Sequence, residues 1–499
     1  MKMKVKTTIL AMAMIVMVMM PTLASAAERD DYYFYADVNG DGVVNIADII
    51  IVIDCLLYGN GNGGEMPNPN TNPAYVSSKE YGAVGDGVTD DTRALESLFE
   101  AGFRLKKAVY LEPGTYLISR SLPLKTGMEI YGSEATITRA KTVSATLTEK
   151  ADKDQRYIDV DDASQFDVGY QIFINDEGGA NWCTHGVITR IEGNRILFNN
   201  IIGDKQYDFM GCVRAYAAGT TVTTSFPLLR SWSALYECDG VTVRNLTLDG
   251  NRDDSEPVSW ANSCLCIDTY RPGGYTDSTG VEHSAVQCNL TARNLIIRNS
   301  PGDGISDHGE GGLIVTDCVI ENSAMHGIRM ESGFSHAMIA SNTMTGNGLK
   351  GSGVFFSQDV SDVVMDNNVI SSFEHGCGVD KDSADVRYAL IRKNQFSSIT
   401  GEVFDFSTAS ASPGGVLQIS NNTIRGLRSL LFSGANLGDV MMAANEVKTI
   451  TTLPPNVLRV VQCGNVILSV NKLPTSAVFS TPVIATGTIN MIEYSNSWN

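Results

Sequence analysis

Short runs of alternating apolar and polar residues recur about every 25 residues from Arg293 to the C-terminus. In each repeat an apolar strand runs into a corner residue, followed by a second apolar strand and a Gly turn. A strand repeat of this length, with no helical period of 3.6 residues, predicts a solenoid of stacked coils. The corner residues are Asn294, Cys318, Asn342, Asn368, Asn394, Asn422, Asn445 and Asn471.

Asn occupies all but one of these corners, which predicts a ladder of side-chain amides. Each amide is expected to hydrogen-bond to the turns of the coils above and below it. Asn245 extends the ladder towards the N-terminus. It lies 49 residues before Asn294, so one further coil with a loop over residues 253–287 is expected between them.

Two segments depart from this rhythm. Residues 141–228 alternate in strands joined by turns, which predicts an inserted β-subdomain that forms a wall of a binding cleft. Residues Ala94–Ala101 form a short helical pattern that Asp90 or Asp91 can cap.

The stretch around this helix carries a family signature. Residues 81–92 read YGAVGDGVTDDT, and AVYLEPGTYLIS and LPLKTGMEIYGSEATIT follow. They resemble the N-terminal signature of the pectate-lyase-like superfamily, of the pectate lyase 3 type. The resemblance implies an all-β, right-handed parallel β-helix over residues 75–499, with the first helix capping its N-terminal end. Such a cap covers strand edges that would otherwise be unpaired, so the GDG and DDT residues are expected to be structural.

Residues 1–26 have the features of a secretory signal. Lys2, Lys4 and Lys6 precede an apolar stretch, and small residues end at Ala26. We therefore expect the mature protein to be secreted. No later segment is apolar over the length that a membrane span needs, so membrane insertion is not expected.

Residues 35–58 contain a calcium-loop pattern. Gly42 stands where such a loop turns sharply, and an apolar helix follows. This spread of oxygen ligands suits calcium. The expected ligands are the side chains of Asp37, Asn39, Asp41, Asn45 and Asp48 and the carbonyl of Val43.

The loop resembles a dockerin repeat, which implies docking to a cohesin-bearing scaffold. Dockerins normally have two repeats and this chain has one, so a calcium-stabilised cap or an attachment tag fits the pattern as well. The Gly-, Asn- and Pro-rich residues 59–74 are expected to be a flexible linker.

The formal net charge of −19 disfavours nucleic acid and anionic membranes as partners. It also repels an anionic substrate unless a local cation, or calcium at the substrate site, reverses the field. The ten cysteines lack metal-finger spacing, and we expect most of them to be small buried residues rather than disulfides.

Candidate chemistry comes from aligning four strands on Gly304, Gly327, Gly353 and Gly378. In this alignment Asp307 and Lys381 point inward. The two outward rows are Ser306, Arg329, Phe355 and Asp380, and then His308, Glu331, Ser357 and Asp382. We predict a catalytic patch of His308, Arg329, Glu331, Asp380 and Asp382, although a charged solenoid face can also be merely solvated.

Two sugar chemistries fit this patch. For glycoside hydrolysis, Glu331 would pair with Asp380 or Asp382 as acid and base. For elimination or epimerisation of a uronate, Arg329 would neutralise the substrate carboxylate and His308 would take the C5 proton.

The motif comparison leaves the reaction open. Asp303-Gly-Ile-Ser-Asp-His308, followed by His326-Gly-Ile-Arg, is similar to the alginate C5-epimerase motif at Gly304 and His308. Polygalacturonases carry a similar HG[IL] strand. We therefore expect an enzyme that cleaves a polysaccharide, as a lyase or a glycoside hydrolase. The alternatives are a uronan C5-epimerase and a non-catalytic carbohydrate-binding or surface protein.

Overall fold

The computed structural model describes residues 75–499 except 175–182, 201–210, 233–238, 254–255, 257, 269–274, 277–281, 284–288, 309–310, 332–333, 349, 383, 476–478, 480, 489 and 498–499. The predicted signal (1–26), calcium repeat (35–58, with all six ligands) and linker (59–74) lie outside the described residues.

The main body is a right-handed parallel β-helix of about 13 turns. Each regular coil contributes one strand to each of three parallel faces, in the order face 2, face 3, face 1. Strands Phe404–Ser420 and Phe432–Ala443 are long and bend from face 1 into face 2.

The other strands of face 1 are Leu122–Leu124, Leu229–Trp232, Leu265–Asp268, Ile305–Asp307, Ile328–Glu331, Ser352–Ser357, His375–Val379, Leu458–Val461 and Val483–Thr486. Those of face 2 are Tyr75–Ser77, Ala108–Leu111, Glu129–Gly132, Val241–Arg244, Leu290–Arg293, Gly311–Thr316, Phe334–Ala340, Asp359–Asp366, Asp385–Arg392, Asn465–Ser469 and Asn490–Tyr494. Those of face 3 are Asp86–Asp90, Gly114–Ile118, Ala135–Arg139, Thr247–Asp249, Ile296–Arg298, Val319–Glu321, Thr343–Thr345, Val369–Ser371, Gln395–Ser397, Thr423–Leu427 and Glu446–Ile450.

The core follows from the two-residue period of these strands. Every second side chain points inward, and equivalent residues of successive coils stack in rows. Ile305, Ile328, Val354 and Cys377 form one such row and are fully buried. One continuous apolar core results, from Val76 to Phe479.

The amide ladder lies at the corner between faces 2 and 3. It runs without a break through the Asn residues from Asn342 to Asn471 and continues to Asn496, which the repeat pattern missed. At Asn394, for example, Oδ1 accepts from both the backbone and side-chain N–H groups of Asn368, and Nδ2 donates to the Met365 carbonyl and to Asn422. The buried amide thus satisfies its own polar groups and those of its neighbours.

The predicted ladder positions of Asn245 and Asn294 are wrong by one residue. Asn245 and Asn294 themselves have left-handed backbone, with φ of 56° and 52°, and each occupies the turn position just before the ladder. Buried Leu246 and Leu295 occupy the ladder row instead. Asn tolerates left-handed φ better than most residues, so it is favoured at the turn as well as in the ladder.

Between the coils, residues 144–223 contain a six-stranded antiparallel sheet with its own apolar core. It leaves the solenoid after Ala135–Arg139 and returns at Leu229–Trp232. Gln171 joins it to the coil, because its backbone N–H donates to Ser119 and its side-chain carbonyl accepts from Ser121. The strands are Ser144–Thr146, Tyr157–Asp159, Gln171–Ile174, Thr184–Glu192, Arg195–Asn200 and Thr221–Thr223.

Helical structure is sparse in the described residues. The helix Thr92–Leu105 is longer than predicted and buries Leu95, Leu98 and Phe99 in the solenoid core. Two short 3-10 helices, Ser78–Tyr81 and Trp260–Asn262, and a small hairpin, Tyr275–Thr276 with Glu282–His283, complete the elements.

No helix in the described part of the chain is both long and apolar enough to cross a bilayer. The seven cysteines that the structure describes are free thiols, and all but Cys183 are buried.

Candidate active site

The register of face 1 decides which side chains meet. Ser306 pairs with Arg329 and Arg329 with Phe355, as predicted. The predicted alignment of the fourth strand is wrong by two residues, because Val354 pairs with Cys377. Gly376, rather than Gly378, therefore aligns with Gly353. The segment His375-Gly-Cys-Gly-Val contains a glycine at both places, so the sequence offered two registers.

The corrected register separates the two predicted aspartates. Asp380 falls in the row of Glu331 and Ser357 and is half-buried. Asp382 lies in the exposed turn that follows, where its N–H donates to Asp380 Oδ1 at 3.0 Å. Lys381 points outward rather than inward, with Nζ 3.4 Å from Asp405 Oδ2. Asp307 is buried, as expected.

His308, Glu331 and Arg329 come together as predicted. The Nδ1 atom of His308 lies 3.1 Å from Glu331 Oε2, and the Nη1 atom of Arg329 lies 4.0 Å from the same oxygen. Gln358 donates to the other Glu331 oxygen at 3.0 Å. On its far side, His308 Nε2 lies 2.7 Å from the Ser306 hydroxyl. All but Gln358 are buried.

A second buried group supports Arg329. Asp303 is fully buried and accepts from Arg329 Nε at 2.8 Å and from the backbone N–H of His326 at 2.9 Å. Burial raises the pKa of the Asp303 carboxyl, but Arg329 and His326 outweigh it and hold this pKa below its ordinary value. The Asp303 carboxylate therefore stays charged and fixes the guanidinium.

His326 is held as a neutral ring. Its Nδ1 accepts from the Ser352 N–H at 2.9 Å, and the ring stacks on Phe355 with centroids 4.0 Å apart. Burial lowers the pKa of His326 to about 3, with Arg329 and His375 adding to the effect and Asp303 opposing it.

Aromatic side chains enclose the charged groups. Trp260, from the loop before the strand Leu265–Asp268, packs on the His308 ring with centroids 4.2 Å apart. The Arg329 guanidinium lies over Phe355 at 4.9 Å. The charged groups themselves are buried, and burial strengthens the electrostatic interactions among them.

A separate cluster lies further along face 1. His375 Nδ1 is 3.4 Å from Glu402 Oε2, and ligand atoms of His375, Glu402 and Asp405 all lie within 4.8 Å of one another. One imidazole and two carboxylates are a donor set that a divalent metal accepts. Lys381 already provides a positive charge next to Asp405.

Sequence reasoning missed several of these residues. The corrected register aligns Asp303, His326, Ser352 and His375, each one position before a glycine, and it places Glu402 in the same row. That row was the available signal for both clusters. Trp260 and Gln358 lie outside the repeated strands, so no repeat pattern could have indicated them.

Two family models match the chain: "Rhamnogalacturonase A/epimerase, pectate lyase-like" over residues 75–188 and "Right handed beta helix region" over residues 279–438. The pre-neck appendage protein of Bacillus phage phi29 is 47% identical over 58 residues, which are 12% of this chain and 6% of that protein. The chain thus spans a small part of that relative.

Among solved structures, the A-module of a mannuronan C-5 epimerase from Azotobacter vinelandii is similar at 14% identity with a TM-score of 0.52. The match covers 84% of this chain and 96% of the module. PfbA, a surface adhesin of Streptococcus pneumoniae, is similar at 13% identity with a TM-score of 0.48, over 85% of this chain and 93% of the adhesin. At these identities the likeness concerns the fold alone.

Proposed function

We propose that this chain, a right-handed β-helix protein of the pectate-lyase-like superfamily, is an enzyme that cleaves a polysaccharide bound across face 1. The reaction centre would be His308, Glu331 and Arg329. The observation that carries the proposal is the position of Glu331 Oε2, 3.1 Å from His308 Nδ1 and 4.0 Å from Arg329 Nη1. A base and a cation thus share one buried carboxylate.

This arrangement favours β-elimination from a uronate, which needs a base for the C5 proton and a cation beside the substrate carboxylate. Glu331 holds the proton on Nδ1 of His308, so Nε2 is the basic atom. The Ser306 hydroxyl is within hydrogen-bond distance of His308 Nε2. The C5 proton would reach Nε2 either by way of this hydroxyl or directly, after the hydroxyl has turned away. Arg329 would attract the substrate carboxylate. Because the chain is strongly acidic, we propose that calcium accompanies an anionic substrate here.

Hydrolysis at the same centre is less well supported. Glu331 and Asp380 lie in one row, two strands apart, which is about 9.6 Å along the sheet. Inverting enzymes have their two carboxyl groups about 6.5–9.5 Å apart and retaining enzymes about 5 Å apart, so this spacing is at the upper limit for inversion and too long for retention. We propose that Asp380 and Asp382 contact substrate hydroxyls rather than act as the acid and base.

A second candidate function is glycoside hydrolysis at the other cluster. Carboxylate oxygens of Glu402 and Asp405 lie within 4.8 Å of each other, close to the separation in retaining enzymes. Asp405 lies in the same row of face 1 as Arg329, and Glu402 lies in the row of His326.

The test is a product screen on polygalacturonate, alginate and neutral glucans, with and without a calcium chelator. Elimination gives ultraviolet absorbance from the new double bond, and His308→Ala should lower that rate by at least about 100-fold. Arg329→Met should also lower it. Arg459→Met is the matched control, since Arg459 lies in the same outward row but is exposed and remote.

Other outcomes would overturn the proposal. Hydrolysis would produce reducing ends without ultraviolet absorbance. If Glu402→Gln abolished this production of reducing ends and His308→Ala did not, hydrolysis would be assigned to the second cluster. Solvent deuterium at C5 without new chain ends would assign epimerisation. Retention of a glycan with no product would assign a binding protein.

We also propose that the protein is secreted, with residues 1–26 removed, and that residues 35–58 bind calcium and attach the enzyme to a cohesin-type scaffold. Calcium titration of the full chain, followed by pull-down with a cohesin, tests the two parts separately.

A further inference from the structure

We propose that Ser306, His308 and Glu331 form a nucleophile–base–acid triad that hydrolyses acyl esters, with O-acetyl groups of a polysaccharide as the substrate class. The Ser306 hydroxyl is 2.7 Å from His308 Nε2, and His308 Nδ1 is 3.1 Å from Glu331 Oε2. Both separations are within hydrogen-bond reach, as nucleophilic catalysis by serine requires.

Glu331 determines which atoms donate in the hydrogen bonds that join Ser306, His308 and Glu331. Glu331 already accepts from Gln358, and an ionised carboxylate can only accept. His308 Nδ1 therefore carries the proton that points to Glu331. The lone pair of Nε2 then faces Ser306, and the hydroxyl must donate to it. This is the tautomer in which histidine can take the proton of a serine nucleophile.

The β-helix itself aligns the three groups. Ser306 and His308 are two residues apart and point to the same side. Arg329 is the register partner of Ser306, and Glu331 occupies the row of His308 on the same adjacent strand, about 4.8 Å away. Rigid neighbouring strands therefore hold the nucleophile, the base, the acid and a cation.

Packing alone does not account for these residues. Ser306 is fully buried, and His308 and Glu331 are almost so, with 3% and 10% of their side chains exposed. Burying a carboxylate costs free energy that apolar residues would not require. In the next coil the same rows contain Phe355 and Ser357, so the serine–histidine–carboxylate arrangement is not repeated there.

The reaction balances with water as its co-reactant. As Ser306 Oγ bonds to the ester carbonyl carbon, the hydroxyl proton moves to His308 Nε2, and the imidazolium is stabilised by Glu331. The C–O bond to the sugar then breaks, and the sugar oxygen takes the proton from Nε2. Water attacks the acyl-serine, gives a proton to His308 and releases the carboxylic acid, and the proton returns to Ser306. Arg329 provides positive charge for the oxyanion.

The surroundings select the acyl group. Trp260 covers one face of the His308 ring and Ser306 is fully buried, so a small acyl group such as acetyl would need less displacement of these side chains than a larger one. An ester is uncharged, so the net charge of −19 does not repel it. This ester hydrolysis goes beyond the proposed polysaccharide cleavage and uses the same His308. It does not require that the polysaccharide backbone be cut.

The test uses the full chain with 4-nitrophenyl acetate, an acetylated glycan and a fluorophosphonate probe. We expect release of acetate and covalent labelling that peptide mass mapping assigns to Ser306. Ser306→Ala should abolish labelling and lower ester hydrolysis by at least about 100-fold. Ser433→Ala is the matched control, because Ser433 is also buried in the same outward row. Circular dichroism checks that each variant is folded.

The result against the proposal is equally definite. Folded wild-type protein that neither reacts with the probe nor releases acetate would overturn it, as would labelling at another residue or full activity in Ser306→Ala. Glycan cleavage without Ser306 labelling removes this inference and leaves the proposed function standing. Ester hydrolysis without any glycan cleavage does the reverse.

Discussion

His326 is a residue at which protonation and folding are linked. In the native state burial, Arg329 and His375 lower its pKa to about 3 against the opposing effect of Asp303, whereas the unfolded chain has the ordinary value of 6.5. Between these values the unfolded chain binds a proton that the native chain does not. Stability from a neutral His326 is therefore complete above pH 6.5 and falls as the pH drops towards 3.

This predicts a decrease in the free energy of unfolding on the order of 1 kcal/mol per pH unit between pH 6 and pH 4. His326→Gln keeps an acceptor for the Ser352 N–H but cannot take up the proton, so its stability should depend less on pH. Thermal midpoints measured at one scan rate at pH 4, 5, 6 and 7 compare the two proteins. Exposed His336→Gln is the control substitution. Equal pH slopes for wild type and His326→Gln would contradict the prediction.

At the scale of the element, the amide ladder makes each coil depend on its neighbours. Asn394→Ala removes the acceptor of the Asn368 backbone and side-chain N–H groups and one donor to the Met365 carbonyl, all of which are buried. Leaving such groups unpaired costs about 1–3 kcal/mol each. We expect Asn394→Ala to lower the free energy of unfolding by at least about 3 kcal/mol.

Asn496→Ala is the matched control for this prediction, because Asn496 ends the described ladder and is only partly buried. Water can replace its partners, so its substitution should cost less than about 1 kcal/mol. Chemical denaturation of both variants measures the difference. Equal costs at the two positions would show that the ladder does not act through burial.

At the scale of the whole molecule, the features that could be predicted from the sequence are those that the repeat determines, namely the fold and most of the strand register. Strand alternation and the corners from Asn342 onwards predicted the β-helix, and the structure confirms it. The glycines at 304 and 327 set the register that joins His308 to Glu331 and Arg329, whose catalytic roles stay a prediction. The register at His375 was ambiguous, because glycine occurs at both alternatives.

What the sequence could not predict depends on contacts outside the repeat. Trp260 reaches His308 from a loop whose length and pattern recur nowhere in the coils. Its position depends on contacts between that loop and the solenoid. One buried ion pair connects the solenoid to this loop.

That ion pair joins Arg139, at the end of a face 3 strand, to Glu256. Both side chains are fully buried, and Arg139 Nη2 lies 2.6 and 2.7 Å from the two carboxylate oxygens. Removing one partner of such a pair leaves a buried charge and costs about 3–5 kcal/mol, whereas replacing both by apolar residues is often neutral. We therefore expect Glu256→Gln to destabilise the protein strongly and Arg139→Met with Glu256→Leu to recover most of the loss.

Because Glu256 lies four residues before Trp260, the single variant should also weaken the packing of Trp260 on His308. Chemical denaturation of the single and double variants measures the change in stability. The fluorescence of Trp260 is obtained as the difference between each protein and the same protein carrying Trp260→Phe. If the pair only stabilises, the double variant will restore stability and the fluorescence signal together. The ion pair joins a strand to the loop, so we expect it to position the loop as well. In that case the double variant will recover stability, while its Trp260 fluorescence and its activity at His308 stay altered. An undiminished stability in Glu256→Gln would contradict the prediction as a whole.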